Sequence, residues 1–267
     1  VVHPVNPVFG GVTYCPKKAD LEALAEELFR WQCDWPDLAR GYLQLCNYPA
    51  ARPVVGKSLA TGLPGAFALG GDLLWCEEKR NIPAADYAQF IGEQARADSC
   101  AMDAAGDSGP FLTGALARAR LAADREISVD LPAQVLGIHG NNVAQVNEIG
   151  WALKRLGQLL DRLLQADRSE ALRVDVMKTQ GGAGTAVMEA PRGLLVHHYV
   201  MDEWGTIVAA DVVTPTAINQ RVMSAQIMAD LTDEEDQTRL RDVTERIVRA
   251  YDPCISCAVH LVPVKAF

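Results

Sequence analysis

Three side chains near the end of the sequence, Cys254, Cys257 and His260, follow one another at intervals of three residues within Tyr251-Asp252-Pro253-Cys254-Ile255-Ser256-Cys257-Ala258-Val259-His260. With Asp252 as a helix cap and Pro253 as the first helical residue, this spacing predicts a helix on which both thiols and the imidazole point roughly the same way. A thiol in a first helical turn lies near unsatisfied backbone N–H groups and the positive end of the helix dipole, which favours the thiolate, the form that binds soft metals. Taken alone, the pattern is open between a metal site and a redox dithiol. A thioredoxin-like CxxC opens a helix directly after a strand, whereas a long polar helical stretch precedes this one. Covalent haem attachment needs His directly after the second Cys, and Ala258 stands there. Cys15, Cys33, Cys46, Cys76 and Cys100 form no second CxxC, so the further ligands of a structural zinc site are missing at metal spacing.

The elements that must position these groups belong to a chain of 267 residues with 49% hydrophobic content, enough to bury a substantial core in one large domain or two small ones. A net charge of -9 and a pI near 5.1, with no basic run, argue against a nucleic-acid or anionic-membrane surface. Trp31, Trp35, Trp75, Trp151 and Trp204 show no stacking pattern for nucleic acid. No apolar stretch approaches the roughly 20 residues that span a bilayer, and the expectation is a soluble, cytoplasmic protein. Seven cysteines without dense spacing point to reduced thiols or metal ligands rather than a disulfide framework. The opening Val1-Val2-His3-Pro4, without Met, is expected to lie inside a longer protein.

The Pro- and Gly-rich stretch from His3 to Val12 predicts an ordered loop. From Lys17 to about Cys46, Leu21, Leu24, Leu28, Trp31, Leu38 and Leu43 recur near helical period, interrupted at Trp35-Pro36, which predicts a broken helix or a helical hairpin. Residues 50–83, with apolar runs at Ala66–Leu69 and Leu73–Trp75, suggest strands and loops. Residues 84–96 and 109–123 look helical. From Asn141 to Ala166, the stripe Val143, Val146, Ile149, Leu153, Leu156, Leu159, Leu160, Leu163 and Leu164 predicts a long helix with a buried face. A glycine loop, Gln180–Thr185, then leads to a hairpin of Leu194–Val200 and Thr206–Val213 joined by Asp202-Glu203-Trp204-Gly205. Leu231–Tyr251 returns to helix, opening at Thr232-Asp233-Glu234-Glu235. His139 is expected in a loop, and the adjacent His197 and His198 on opposite faces of a strand, in packing rather than ligation. The fold class expected is α+β, predominantly α: a helical bundle, the Asn141 helix central to it, with a small β hairpin or sheet element, in a single domain over 1–267.

Two further motifs stand upstream of the thiols, Glu189-Ala190-Pro191-Arg192-Gly193 and Thr214-Pro215-Thr216-Ala217-Ile218-Asn219. In order and separation, these and Asp252-Pro253-Cys254-Ile255-Ser256-Cys257-Ala258-Val259-His260 closely resemble the C-terminal half of the nickel-iron hydrogenase large subunit. Weaker echoes lie in His3-Pro4…Gly10-Gly11-Val12 and in Thr113-Gly114-Ala115-Leu116-Ala117-Arg118, so the resemblance spans nearly the whole chain. It implies Cys254 as a terminal nickel thiolate, Cys257 as the thiolate bridging nickel and iron, and His260 as a magnesium ligand. The iron of this family carries cyanide and carbon monoxide, and Pro191, Arg192 and Thr216 match the pocket around those diatomic ligands. Arg192 also matches the guanidinium over the open metal position, with Asp252 orienting it or capping a helix. Because a guanidinium cannot readily lose its proton, electrostatic positioning is its expected role rather than proton abstraction.

The implied reaction is reversible heterolytic cleavage of H2, with electrons leaving through iron-sulfur clusters on a small-subunit partner, because this chain lacks cysteines in cluster spacing. The run His197-His198-Tyr199 and the Asp-Pro-Cys-Ile-Ser-Cys pattern are most similar to the cytoplasmic branch coupled to NAD(P) or a deazaflavin, with further diaphorase subunits as candidate partners. The family's N-terminal Arg-x-Cys-Gly-x-Cys segment, which supplies the other two thiolates, is absent from this sequence, as is the glutamate that relays protons from the terminal cysteine. A C-terminal portion of a large subunit or a naturally split subunit is therefore expected. Seven residues, Leu261 through Phe267, follow His260, after which relatives are cleaved. A metal-free quinone-reductase-type or sensory relative of the same ancestry is the alternative.

Overall fold

The computed structural model describes residues 7–8, 10–45, 52–62, 70–78, 81–97, 99–104, 106, 109–123, 137–166, 181–232 and 234–254. In chain order the elements are β1 (Pro7–Val8), β2 (Gly11–Val12), α1 (Lys18–Leu45), β3 (Lys57–Thr61), β4 (Gly70–Gly71), β5 (Leu73–Cys76) and β6 (Ile82–Pro83). A 3-10 turn at Ala84–Asp86 leads to α2 (Ala88–Ile91), β7 (Glu93–Arg96), β8 (Ser99–Ala104), β9 (Phe111–Leu112) and α3 (Ala115–Ala123). Then come α4 (Gly140–Gln165), β10 (Gly182–Ala190), β11 (Gly193–Met201), β12 (Ile207–Val213), α5 (Pro215–Leu231) and α6 (Gln237–Tyr251). The class is α+β with helix dominant, as the sequence leads one to expect. Backbone contacts divide the chain into two compact units, Val1–Asn47 with Val146–Gln180, and Tyr48–Gln145 with Gly181–Phe267.

The first unit is built on α1 and most of α4. Leu21, Ala25 and Leu28 pack with Leu153, Leu160 and Leu164, and Gln32 Nε2 donates to the Leu153 carbonyl at 2.8 Å. Early residues of α1 thus meet late residues of α4, so the two helices run antiparallel. The expected interruption at Trp35-Pro36 does not occur, because α1 is one helix of 28 residues with Pro36 inside it. An internal proline costs about 3 kcal/mol. Packing holds the helix before Pro36, and the good helix formers Leu38, Ala39, Arg40, Leu43 and Gln44 support it afterwards. The loop expected near the start contains a short antiparallel pair, Pro7 with Val12 and Val8 with Gly11.

The second unit carries more strand than a single hairpin. One four-stranded sheet runs β12-β11-β10-β4 and is antiparallel throughout; the other runs β6-β5-β3-β9, with β3 and β9 parallel. Leu59, Leu74, Ile82, Phe111, Leu194 and Val196 share one buried cluster. A second joins Leu112 and Leu116 to Val222 of α5 and Ile247 of α6. The expected hairpin is present as β11 and β12, its turn tied by Asp202, whose Oδ1 accepts from Trp204 N–H at 2.9 Å and Thr206 N–H at 2.8 Å.

Several segments differ from their local sequence preference. The glycine stretch Gly182–Thr185 is the first half of β10, which pairs with β11 at nine successive positions. Weak intrinsic strand preference is overridden because β11 offers a complete ladder partner. Residues 84–96 are a 3-10 turn, the single-turn α2 and then strand β7; residues 109–123 are helical only from Ala115. The helix α5 replaces an unassigned stretch, and Leu231 is its last residue rather than the first of the next helix. Helix α6 starts at Gln237, with the Asp236 carboxylate accepting from Thr238 N–H at 2.9 Å and Arg239 N–H at 3.4 Å, a side-chain cap that satisfies otherwise orphaned donors. The run Ala66–Leu69 lies outside the described residues.

Candidate metal centre

Arg192 sits at the tip of the β10–β11 hairpin, where Ala190 pairs with Gly193 and only Pro191 and Arg192 form the turn. Proline presets the backbone for such a turn. Gly193, at φ 136°, adopts a conformation that side chains disfavour. A tight turn on two long paired strands delivers a side chain at a defined place. From that tip Arg192 Nε reaches Asp252 Oδ2 at 3.2 Å. Both partners are half-exposed, so the pair adds little stability and serves chiefly to orient the guanidinium. Pro191 lies exposed beside it.

The second side chain enters from α5. Thr214 caps that helix, its Oγ1 accepting from Ala217 N–H at 3.3 Å, and Pro215 occupies the first turn, where its missing N–H costs nothing. Thr-Pro was therefore a legible helix start. Thr216 follows, buried, and its Oγ1 accepts the Cys254 N–H at 2.9 Å. A hydroxyl that accepts a bond through oxygen still has its own O–H to donate.

Asp252 is a cap, but of the opposite helix end from the one expected. It closes α6 in the left-handed conformation, φ 50° and ψ 54°, with its N–H bonded to the Arg249 carbonyl at 3.1 Å. A left-handed residue followed by proline is a usual way to stop a helix. Pro253 and Cys254 therefore follow α6 outside any helix, and Cys254 is not in the first turn of a helix as the spacing suggested. The backbone N–H of Cys254 is already satisfied by Thr216. Cys257 and His260, with the whole segment after Cys254, lie outside the described residues.

Among the described residues, Cys15, Cys33 and Cys76 are free cysteines. The Cys254 sulfur, as a thiolate, is a donor suited to soft metals. Arg192, Asp252, Thr216 and Cys254 therefore converge within one unit, and their chemistry fits a thiolate-held metal flanked by a fixed cation and a hydroxyl. No group of three or more His, Cys, Asp or Glu able to hold a metal occurs among the described residues.

The supporting residues escaped the sequence. Arg118 and Glu189 form a buried ion pair through Arg118 Nη1 and Glu189 Oε2, and Glu189 Oε1 also accepts Thr61 N–H at 2.7 Å. Glu189 lies three residues before Arg192, so this pair anchors the strand that leads into the tip. Asn141 bridges two helices, accepting Leu116 N–H and donating to the Ala250 carbonyl, both at 2.9 Å. That second bond fixes α6 two residues before Asp252. A charged residue within a motif rich in small and apolar residues, as Glu189 and Arg118 are, was the available signal. Asn141 offered none beyond its place at a helix start.

The two histidines behave as packing and hydrogen-bonding residues on opposite faces of β11. His198 Nδ1 pairs with Thr185 Oγ1 at 2.8 Å, and His197 Nδ1 pairs with the Tyr199 hydroxyl at 2.7 Å. On the His198 side, Tyr87 bonds to Asp211, and burial followed by that bond pushes its hydroxyl well above the usual tyrosine range. His139 is in the turn before α4, buried, and burial holds its imidazole below the ordinary value.

Residues 123–260, more than half of the chain, match the sequence model of the nickel-dependent hydrogenases. Sulfhydrogenase 1 subunit alpha of Pyrococcus furiosus is 30% identical over 98% of this chain and 63% of its own length. The NAD-reducing hydrogenase HoxS subunit beta of Cupriavidus necator is 42% identical over 30% of this chain and 17% of its own. A solved NAD+-reducing [NiFe]-hydrogenase in the H2-reduced state shares the fold at a TM-score of 0.77, with 22% identity over 97% of this chain and 63% of that one. The chain thus spans less than two thirds of these relatives' length. The match over residues 123–260 takes in both the hairpin tip and the Cys254 segment, and the chain belongs to the nickel-dependent hydrogenase family.

Proposed function

We propose that this chain is the part of a nickel-iron hydrogenase large subunit that carries the Cys254, Cys257 and His260 side of the metal centre, acting in reversible cleavage of H2. The convergence of Arg192, Thr216, Asp252 and Cys254 from three distant segments carries the proposal. When bound, a nickel-iron centre with cyanide and carbon monoxide ligands would supply the soft, redox-active metal chemistry that H2 cleavage needs. The chain's own residues do the rest. Cys254 and Cys257 would hold the metals as soft thiolates, and the Cys254 sulfur would be the first acceptor for the proton. Arg192, kept in place by Asp252, presents a permanent positive charge beside the site, which favours charge developing there without giving up its proton. Thr216, with its N–H bond from Cys254 already made, has an O–H to offer a cyanide, and Pro191 packs beside it. His260 would hold magnesium.

The two other thiolates of the family are not in this sequence, so a complete centre needs a further polypeptide segment. Iron-sulfur clusters belong on a small-subunit partner, and relatives named as NAD-reducing support NAD(P) or a similar soluble carrier as the final acceptor, in the cytoplasm. No described helix is long and apolar enough to cross a membrane.

The test is nickel and iron analysis, with infrared spectroscopy, of the protein purified together with the products of neighbouring genes. Equal nickel and iron with bands from diatomic ligands is the expected result. Absence of both overturns it and favours a metal-free quinone-reductase-type or sensory relative. Cys254→Ser abolishes nickel retention in the complex, whereas Arg192→Lys keeps the metals and slows turnover. The isolated chain neither holds the centre stably nor turns over H2; tight nickel binding by this chain alone contradicts the shared-site arrangement.

A further inference from the structure

We propose that Thr113 and Asn219 are positioning residues: one buried hydrogen-bonded clamp between them fixes the hairpin tip carrying Arg192 relative to the start of α5 carrying Thr216. The proposal rests on the nickel-iron reading only for its consequence in a loaded centre. Asn219 spends both ends of its amide on a single residue, Oδ1 accepting Thr113 N–H at 2.9 Å and Nδ2 donating to the Thr113 carbonyl at 3.1 Å. Two bonds to one residue fix direction as well as distance. Thr113 passes the constraint on, because its Oγ1 accepts Leu194 N–H at 2.7 Å, two residues after Arg192.

The contact leaves no slack. A Cβ added to Gly193 would lie 2.6 Å from Thr113 Cγ2, and one added to Gly114 would lie 2.9 Å from the Arg192 carbonyl oxygen. Both clamp residues are buried, where an unmade hydrogen bond is costly, so the linkage persists in the folded state. Thr216 and Asn219 are three residues apart at the start of one helix. A single rigid helix end therefore holds Cys254 through one side chain and the Arg192 hairpin through the other.

The experiment compares Thr113→Val, which removes the acceptor for Leu194 N–H, with Thr113→Ser, which keeps it. The first readout is the side-chain Nε–H resonance of Arg192 in the reduced, metal-free chain with isotope-labelled arginine, assigned with Asp252→Asn. Thr113→Val moves this resonance toward its position in Asp252→Asn, Thr113→Ser leaves it at the wild-type position, and the Arg221 resonance stays put in both. Asn219→Asp, which keeps the acceptor and loses the donor, gives the same movement as Thr113→Val. The second readout is the loaded complex, in which Thr113→Val retains its nickel and loses turnover by about ten- to a hundred-fold, the scale expected of a misplacement near an ångström. An Arg192 resonance unmoved by Thr113→Val and Asn219→Asp, or moved equally by Thr113→Ser, overturns the clamp. Loss of the folded spectrum in both Thr113→Val and Asn219→Asp also overturns it, in favour of a purely structural role. Failure of the wild-type complex to bind nickel instead defeats the hydrogenase reading and leaves the resonance result standing.

Discussion

The two compact units are stabilised in different ways. In the unit formed by α1 and most of α4, the buried cluster is Leu21, Leu28 and Leu160, with Ala25, Leu153 and Leu164 against it, while Phe29 is 66% and Leu45 86% exposed. Its packing is apolar and follows helical period, with the Gln32 amide bond to the Leu153 carbonyl beside it. In the unit that carries the candidate centre, a larger apolar core surrounds buried polar side chains: Arg118, Thr113, Asn141, Thr216, Asn219 and Gln226. Most of these bonds join residues far apart in the chain, such as Thr113 and Asn219, 106 positions apart. A non-directional contact holds two helices together, whereas a directional one specifies where a side chain ends up. The unit that carries the four candidate site residues is the one whose buried interior is built on directional contacts.

The largest effect is expected where that contrast is sharpest. Glu189→Ala leaves Arg118 charged and buried without its carboxylate and destabilises the site unit by about 3–5 kcal/mol in urea unfolding. A loss comparable to that of an exposed pair would break the distinction. Leu160→Ala removes a buried apolar side chain from the helical unit and costs about 2–4 kcal/mol, read as lost helical circular dichroism at lower urea concentration. Asn141→Ala leaves the Leu116 N–H and the Ala250 carbonyl unpaired and costs about 1–3 kcal/mol. Its signature is faster amide hydrogen exchange at Leu116 than elsewhere in α3.

His139 gives a weaker, pH-dependent effect. Burial lowers its folded-state value below about 6.5, so the unfolded chain binds a proton more readily than the folded one. Stability from this residue is present above that pH and is lost as pH falls through it. The urea midpoint measured from about pH 7.5 to 5.5 should decline, and less so in His139→Asn. Least of all, Arg192→Lys changes stability by under about 0.5 kcal/mol, because its pair with Asp252 is half-exposed. A larger change would mean that the hairpin tip is a structural anchor instead of a presented group.

Legibility divides along the same line. Helix α4 was readable because its apolar stripe is continuous, and the β11–β12 hairpin because β-branched runs flank a turn tied by Asp202. Strand β10 was not, since Gly182 and Gly184 look like a loop until β11 supplies nine paired positions. Pro36 looked like a break because local preference cannot show that packing supports α1 before it. Asp252 was recognised as a cap but assigned to the wrong helix end, because Asp before Pro suits a helix start, and its left-handed conformation is a backbone fact.

For the site, the sequence by itself determined the chemistry available: soft thiols at Cys254 and Cys257, a permanent cation at Arg192, a hydroxyl at Thr216 and a carboxylate at Asp252. Residue type fixes charge, softness and hydrogen-bonding capacity whatever the surroundings. The tertiary structure alone decided that four of these meet, through a two-residue turn, a capped helix start and a left-handed helix stop brought together within one unit. Distance between groups far apart along a chain depends on every contact between them, and no local pattern carries that sum.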